Sequence, residues 1–291
     1  MKKWIFLVGL TAYGCSGIAD CKEDAAACAE VLVKNGEACA QAYQLRQTEK
    51  KRKLCEKAVL AVADAKEKAA VPGLIAILKA PESGVPDDFH RREAAKALGR
   101  IGDPSAADAL VAAIELSAGT SSDPKDKAAN RANEEIATAL GKLKATSAVQ
   151  PLLKLIDKSQ DKYVILKAVR AIGEKSATKA LEDIARTDEN KFMRKNAIIA
   201  LGDIADPESI DTLILMMFVE FAGVSFYREA SFALFQVGPA SAQPLLDTMA
   251  GKNAEVNKHF EKMGGIKNSA IKAKCGFVLG DLRAQRAVPP L

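Results

Sequence analysis

The chain has 291 residues, of which 48% are hydrophobic and 27% charged, with a formal net charge of +5. This composition excludes a disordered chain, which would carry fewer apolar residues. Aromatic residues make up 5% and alanine supplies 52 residues, which favours closely packed helices over a β-sandwich. His90 and His259 are the two histidines, so a zinc site with three His ligands is excluded and a hydrolase is disfavoured.

The first 14 residues have the pattern of a signal peptide. Two lysines precede a short apolar run, Trp4–Leu10, and small residues lead to Gly14 and Cys15. This pattern resembles the signal of bacterial lipoproteins. The resemblance implies an exported protein, periplasmic or on the cell surface, that is held at a membrane by lipid on Cys15. Bulky Tyr13 departs from the family pattern, so cleavage after Gly14 or Ala19 without lipidation, or no export, are the alternatives.

Four cysteines follow close together, namely Cys21, Cys28, Cys39 and Cys55, and they lack the C-x-x-C spacing of zinc or redox sites. In an exported protein they predict two disulfides in a helical segment, residues 15–57; free thiols in a cytosolic protein are the alternative. An Asn-Gly pair at 35–36 predicts a turn between two helices. Partners in such a hairpin lie at similar distances from the turn, which favours Cys28 with Cys39 and Cys21 with Cys55. The other two connectivities stay open.

Six similar segments recur along the rest of the chain. Their ends lie 29 to 45 residues apart, and five of the six end in Gly. Apolar residues five, two and one positions before each end predict one helix per segment with a buried stripe. We expect the final Gly to provide the positive φ of a helix C-terminus. In chain order the segments are Arg92–Gly99, Glu134–Gly141, Leu166–Gly173, Lys195–Gly202, Arg228–Phe235 and Ala273–Gly280.

A second helix is predicted after each first one, opening near residues 106, 148, 209 and 242, and a degenerate earlier unit lies at 59–78. Asp103-Pro104 and Asp206-Pro207 mark loops in which the Asp can cap the next helix.

These features, with the A-x-A-L-G runs and the Gly-Asp-Pro loop at 102–104, resemble HEAT repeats of the bacterial kind also found in phycobilisome-lyase-like proteins. The resemblance covers residues 58–291. It implies an all-α solenoid of stacked helix pairs that binds partners, usually proteins. The last unit stops at Leu291, partway into its second helix, which predicts a truncated array or an end covered by a partner.

One region is rich in aromatic residues and methionine. The sequence favours a thicker local core for this region, and a partner-binding patch, for which it supplies the candidate residues, is the alternative. Phe232 and Phe235, in a repeat helix, are expected in the core. The insertions at about 81–90, 117–130 and 252–270 are further candidates. The candidate partner-binding residues are Met216, Met217, Phe218, Phe221, Phe226 and Tyr227.

Nothing in the sequence predicts a catalytic, metal or cofactor site. No H-E-x-x-H, G-x-S-x-G, Walker or G-x-G-x-x-G pattern occurs. We expect His90 and His259 in solvated segments. Cys275 takes a position that holds Ala in four sister segments, which indicates packing; a reactive or bilin-type thiol is the alternative. The basic run Glu49–Lys53 is interpreted as a solvated helix face, with contact to anionic headgroups as the alternative.

The sequence therefore predicts a non-catalytic protein-interaction scaffold of the cell envelope. Its partners are expected to be another envelope protein and, through Cys15, a membrane, but not nucleic acid. The alternatives are a ligand-handling or lyase-like enzyme of the HEAT-like class and a structural spacer without a specific partner.

Overall fold

The computed structural model describes residues 18–44, 49–80, 89–116, 122–262 and 268–286. The predicted signal peptide, Cys15 and the C-terminal residues 287–291 lie outside them. None of the described helices is long and apolar enough to cross a membrane. In chain order the helices are α1 (Ala25–Gln44), α2 (Glu49–Asp64), α3 (Val71–Lys79), α4 (Phe89–Ile101), α5 (Ala107–Ala112), α6 (Pro124–Leu143), α7 (Val149–Ile156), α8 (Lys162–Ile172), α9 (Thr178–Thr187), α10 (Lys191–Ile204), α11 (Ile210–Met216), α12 (Tyr227–Val237), α13 (Ala242–Met249), α14 (Ala254–Lys262) and α15 (Asn268–Arg286).

The helices form the predicted all-α solenoid of stacked pairs. Six pairs, from α2 with α3 to α12 with α13, each consist of a first helix, a 3₁₀ turn and a second helix, and α15 stands in the place of the next first helix. An antiparallel hairpin of two short strands, β1 (Glu220–Phe221) and β2 (Val224–Ser225), separates α11 from α12. Helix α14 occupies much of the predicted insertion at 252–270. Helix α2 runs without a break through residues 57 and 58, where the repeat region was predicted to begin.

The predicted Asp caps are confirmed, but they cap the 3₁₀ turn that precedes the second helix. The Asp103 carboxylate accepts a hydrogen bond from the Ser105 amide at 2.9 Å, and that of Asp206 accepts one from the Glu208 amide at 3.4 Å. Each Asp caps the 3₁₀ turn that leads into the second helix, not the second helix itself. Both turns begin with Pro. Its lack of an N–H costs no hydrogen bond there, because the first N–H of a helical turn has no acceptor within the turn.

The glycines that end the repeat segments have a different role from the expected one. Gly99, Gly141 and Gly202 lie inside their helices and do not have positive φ; Gly173, with φ of +74°, does cap its helix. A Cβ added at Gly99, Gly141 or Gly202 would lie 2.8, 3.1 or 2.8 Å from the Cα of an alanine in the next first helix. These glycines therefore allow successive first helices to touch backbone to backbone. The C-cap prediction is wrong for all three and also for Gly280, which lies inside α15.

Two disulfides close the N-terminal segment, but not with the favoured pairing. They join Cys21 to Cys28 and Cys39 to Cys55. The residue expected to begin a turn, Asn35, only kinks α1, which continues to Gln44, so the hairpin consists of α1 and α2. Cys39 and Cys55 lie at similar distances from the connection between these helices. The rule for choosing partners therefore fits Cys39–Cys55 once the turn is placed after α1, but it does not account for Cys21–Cys28, whose members lie on the same side of that turn.

The core is continuous along the solenoid and follows the predicted stripe. The leucine one position before the segment end has no exposed surface in α4, α6, α10 or α12, namely Leu98, Leu140, Leu201 and Leu234. Each such side chain contributes about 1.5–3 kcal/mol by leaving water. Alanine at most of the neighbouring buried positions keeps the helices close enough for this contact.

Candidate interaction surface

Most of the predicted partner-binding side chains lie in the core. Met216, Met217, Phe218 and Phe226 are 1%, 0%, 7% and 0% exposed, and Phe221 and Tyr227 are half-buried. The β-hairpin turns this segment back on itself, and the ring of Phe218 packs edge-on against that of Phe260 in α14, at 5.2 Å between centroids. Met216, Met217, Phe218 and Phe226 thus form a thicker local core, which was the favoured interpretation of this region.

Three exposed aromatic side chains lie in the last two first helices instead, and Tyr163 of α8 and Phe192 of α10 are also exposed, by 46% and 65%. Phe232 and Phe235 of α12, expected in the core, are 59% and 37% exposed, and Phe277 of α15 is 71% exposed. The rings of Phe232 and Phe235 stack on each other, with centroids 6.4 Å apart. Phe232 and Phe277 each lie three positions before the segment end, outside the predicted buried stripe. That signal was present in the sequence, and applying the stripe strictly would have found both residues.

The position three residues before each segment end changes from polar to apolar along the solenoid. It is polar in the first three segments and a large apolar residue in the last three. In the first half these side chains take part in polar contacts between repeats: Lys96 lies 3.9 Å from Glu135, and Arg170 forms an ion pair with Asp203. The apolar residues in the last three segments cannot form such ion pairs. In chain order the position holds Lys96, Thr138, Arg170, Ile199, Phe232 and Phe277.

A groove of about 1010 Å³ lies beside these residues, between α10, α12 and α15. Phe235 stands where the other segments have Gly, and it lines the groove. Gly202 lets α12 pack along α10, whereas α12 meets α15 over a much shorter stretch. The groove, called the aromatic groove below, is lined by Lys195, Ile199, Arg228, Glu229, Ser231, Phe232, Phe235, Gly280 and Asp281.

The charged groups of the aromatic groove fall into two sets. Lys195 Nζ lies 2.8 Å from Glu229 Oε1, which ties α10 to α12 and neutralises both charges. Arg228 and Asp281 are exposed, and neither forms an ion pair with any side chain that the structure describes. The rim of the groove therefore offers one free positive and one free negative group.

Helix α15 is held in place by a lysine that points inward. Lys274 Nζ donates a hydrogen bond to the Met217 carbonyl at 2.9 Å and lies 5.4 and 5.0 Å from the ring centroids of Phe218 and Tyr227. Burial lowers the pKa of the Lys274 ammonium. The half-buried and buried aromatic residues of the predicted patch thus support α15 from beneath, and so position the groove.

The other singled-out residues show no arrangement that favours catalysis. Cys275 is fully buried, and burial raises the pKa of its thiol to about 11, opposite to what a nucleophilic thiolate needs. His90, expected in a solvated segment, is 1% exposed because α4 begins at Phe89 and packs on the end of α3; its Nε2 lies 3.3 Å from the Ala80 carbonyl. His259 is half-buried beside Phe260.

The described residues form no metal-binding cluster, and the basic run is part of a solvated helix. Within the residues described, no three His, Cys, Asp or Glu side chains lie close enough to hold a metal ion. The basic run is the first part of α2, where Lys53 Nζ lies 2.6 Å from Glu49 Oε1 and Arg52 pairs with Glu56 at 2.9 Å. These are pairs four residues apart on an exposed helix face, as expected for a solvated surface.

Comparison with known proteins agrees with the architecture. A sequence model described as HEAT repeats matches residues 40–120 and 158–217. These two parts of the α-solenoid are therefore similar to HEAT repeats. No curated protein matches the sequence. Among solved structures, the complex of CpcE and CpcF of phycocyanin lyase from Nostoc sp. PCC7120 is similar over 97% of this chain and 99% of that chain, with 17% identity and a TM-score of 0.35.

Proposed function

We propose that this protein is a non-catalytic scaffold that binds another protein through the aromatic groove. The observation that carries the proposal is the set of exposed rings beside the groove, Phe232, Phe235 and Phe277, in a chain with few aromatic residues. Aromatic side chains are enriched at the centres of protein interfaces, where a few residues supply most of the binding energy. Each ring that leaves water contributes about 1.5–3 kcal/mol to association.

The groove is also well ordered before any partner binds. Gly202 packs α10 against α12, the Lys195–Glu229 ion pair joins the same helices, and Lys274 fixes α15. A surface held in its binding shape loses little conformational entropy on association. The buried Cys275 with its raised pKa supports a binding role over a chemical one.

We further propose that the scaffold is exported and anchored by lipid on Cys15. Two disulfides near the N-terminus support an oxidising compartment, and the signal-like first 14 residues support export. Two residues separate Cys15 from buried Ile18, so an anchored solenoid would begin close to the membrane. The partner would then be another protein of the cell envelope.

The test is crosslinking of the full-length protein in its native cells, purification from the membrane fraction and mass spectrometry of the products. We expect one dominant protein partner that is lost in the variant Phe232→Ala/Phe235→Ala. Tyr163→Ala is the matched control, because it removes a ring that is 46% exposed on α8, away from the groove. The N-terminal mass of the same sample is expected to show a lipidated Cys15.

The outcomes separate the parts of the proposal. A partner that survives Phe232→Ala/Phe235→Ala would refute the groove as the binding surface. An unlipidated N-terminus would refute the anchor and leave the scaffold standing. No reproducible partner, together with a small molecule retained on the purified protein, would overturn the scaffold in favour of ligand handling.

A further inference from the structure

We propose that a groove in the layer of second helices binds a basic amphipathic helix of another protein. This groove lies between α7 and α9 and has a volume of about 470 Å³, whereas the aromatic groove lies between first helices. The inference therefore goes beyond the proposed function and does not depend on the aromatic groove. The groove, called the acidic groove below, is lined by Leu153, Ile156, Asp157, Lys162, Ala180, Asp183, Ile184, Thr187, Asp188 and Glu189.

The acidic groove combines an apolar floor with a negatively charged rim. Leu153 of α7 and Ala180 and Ile184 of α9 form the floor, and all three side chains are half-buried. Four carboxylates and a single ammonium group, that of Lys162, lie around this floor. Every lining residue belongs to the range 122–262, which the structure describes without a gap. The walls of the groove are therefore complete within the middle of the solenoid.

The rim carries more negative charge than neighbouring lysines neutralise. Asp157 Oδ1 lies 3.3 Å from Lys162 Nζ, and Asp183 Oδ1 lies 3.6 Å from Lys179 Nζ. Both pairs are exposed to solvent, where an ion pair contributes at most about 1 kcal/mol. Glu189 is exposed and forms no ion pair with any side chain that the structure describes. A cationic partner can therefore bind here without breaking a strong internal contact.

Helix α14 shows which kind of segment the layer of second helices binds. This helix lies in a predicted insertion and packs against α11, one repeat further along the same layer. Its Val256 and Phe260, four residues apart and so on one face, are 1% and 5% exposed. Beside them, Glu255 Oε2 accepts a hydrogen bond from Arg186 Nη2 of α9 at 3.1 Å. An amphipathic helix is thus held by two apolar side chains and by one charge opposite to a charge on α9.

The acidic groove offers the same combination with the opposite charge. It lies where α9 faces α7, whereas α14 binds where α9 meets α11. A complementary helix would place two large apolar side chains on the floor, as α14 does, and Lys or Arg against Asp183 and Glu189. Lys and Arg suit such a groove because their aliphatic stems cover apolar surface while their charged ends reach the rim. The charge of the rim thus selects a basic partner helix over an acidic one.

The experiment measures the binding of two labelled helical peptides to the full chain, with both disulfides intact, by fluorescence anisotropy. Both peptides are alanine-based and about 16 residues long, which is enough for a helix to form in water. Both carry Val and Phe four positions apart, like Val256 and Phe260 in α14. One peptide has Lys beside these residues and the other has Glu. We expect the Lys peptide to bind at least about tenfold more tightly at low salt, and to lose this advantage as the salt concentration rises.

Two variants and a matched control locate the binding. Asp183→Lys/Glu189→Lys reverses two charges of the rim and should weaken binding of the Lys peptide about tenfold or more. Asp108→Lys/Glu208→Lys changes the net charge equally, at two exposed carboxylates in α5 and in the turn before α11, and should leave the affinity unchanged. Ala180→Trp fills the floor without changing any charge and should also weaken binding. Circular dichroism confirms that each variant is folded.

Failure of the Lys peptide to bind at concentrations up to about 1 mM would overturn the proposal. So would binding that Asp183→Lys/Glu189→Lys leaves intact, or that the charge-matched control weakens to the same extent. A crosslinked partner that is lost in Phe232→Ala/Phe235→Ala, together with no peptide binding, would refute the acidic groove as a site and leave the scaffold function in place.

Discussion

The contact role of the segment-ending glycines predicts opposite effects for the same substitution at two equivalent positions. In Gly202→Ala the new Cβ would lie 2.7 Å from the Ala233 Cβ and 2.8 Å from its Cα. The backbone cannot yield without moving α12 away from α10, and overpacking of this kind costs about 1–3 kcal/mol. In Gly280→Ala the new Cβ meets nothing within 4 Å in the described residues.

Both substitutions also remove a glycine from a helix, which stabilises by about 1 kcal/mol. That gain is common to the two variants, so the difference between their free energies of unfolding isolates the crowding at Gly202. We expect Gly280→Ala to be more stable than wild type by up to about 1 kcal/mol. Gly202→Ala should then fall below Gly280→Ala by about 1–3 kcal/mol.

The assay is urea unfolding followed by far-UV circular dichroism. The reasoning would be refuted by Gly202→Ala being as stable as Gly280→Ala, because the backbone contact would then have no energetic consequence. Destabilisation by Gly280→Ala would contradict the open space around its new Cβ.

Three further predictions concern the same solenoid. The double variant Cys39→Ala/Cys55→Ala should lose about 3 kcal/mol of stability, because this disulfide closes a loop with a sequence separation of 16; urea unfolding measures the loss, and peptide mapping that pairs either cysteine elsewhere would contradict the structure. The Cys275 thiol should resist alkylation in the folded protein at pH 8, because burial raises its pKa to about 11. The raised value means that the thiol is protonated in the folded state, so its contribution to stability is complete below pH 9 and is lost between pH 9 and 11. Cys275→Ala should reduce that loss, and identical alkaline profiles for the two proteins would argue against it. Asp206→Ala should destabilise by about 1–2 kcal/mol, because Asp206 Oδ2 also accepts a buried hydrogen bond from Thr178 Oγ1 at 2.9 Å; Asp206→Asn, which keeps a cap and an acceptor, is the control, and equal thermal stability of the two variants would sink this explanation.

The candidate surface could be predicted only in part, and particular residues show why. The sequence drew attention to the right neighbourhood, since the predicted patch at 216–227 lies directly beneath α15. It left open which of these side chains would be exposed, because local composition does not tell which rings a hairpin will turn inward. Phe232 and Phe277 could have been found by repeat register alone. The groove could not, because it depends on how α10, α12 and α15 meet.

The sequence by itself determined the helix pairs, their spacing and the side chains that fill the core. These features depend on contacts within one repeat and between neighbouring repeats. The same sequence pattern recurs in each repeat, so each feature can be predicted from several segments. Only the tertiary structure decided the disulfide pairing, the contact role of Gly99, Gly141 and Gly202, and the exposure of the aromatic rings. Each of these depends on where elements distant in sequence meet, and a kink in place of a turn, or Phe in place of Gly, changes the outcome without disturbing the local pattern.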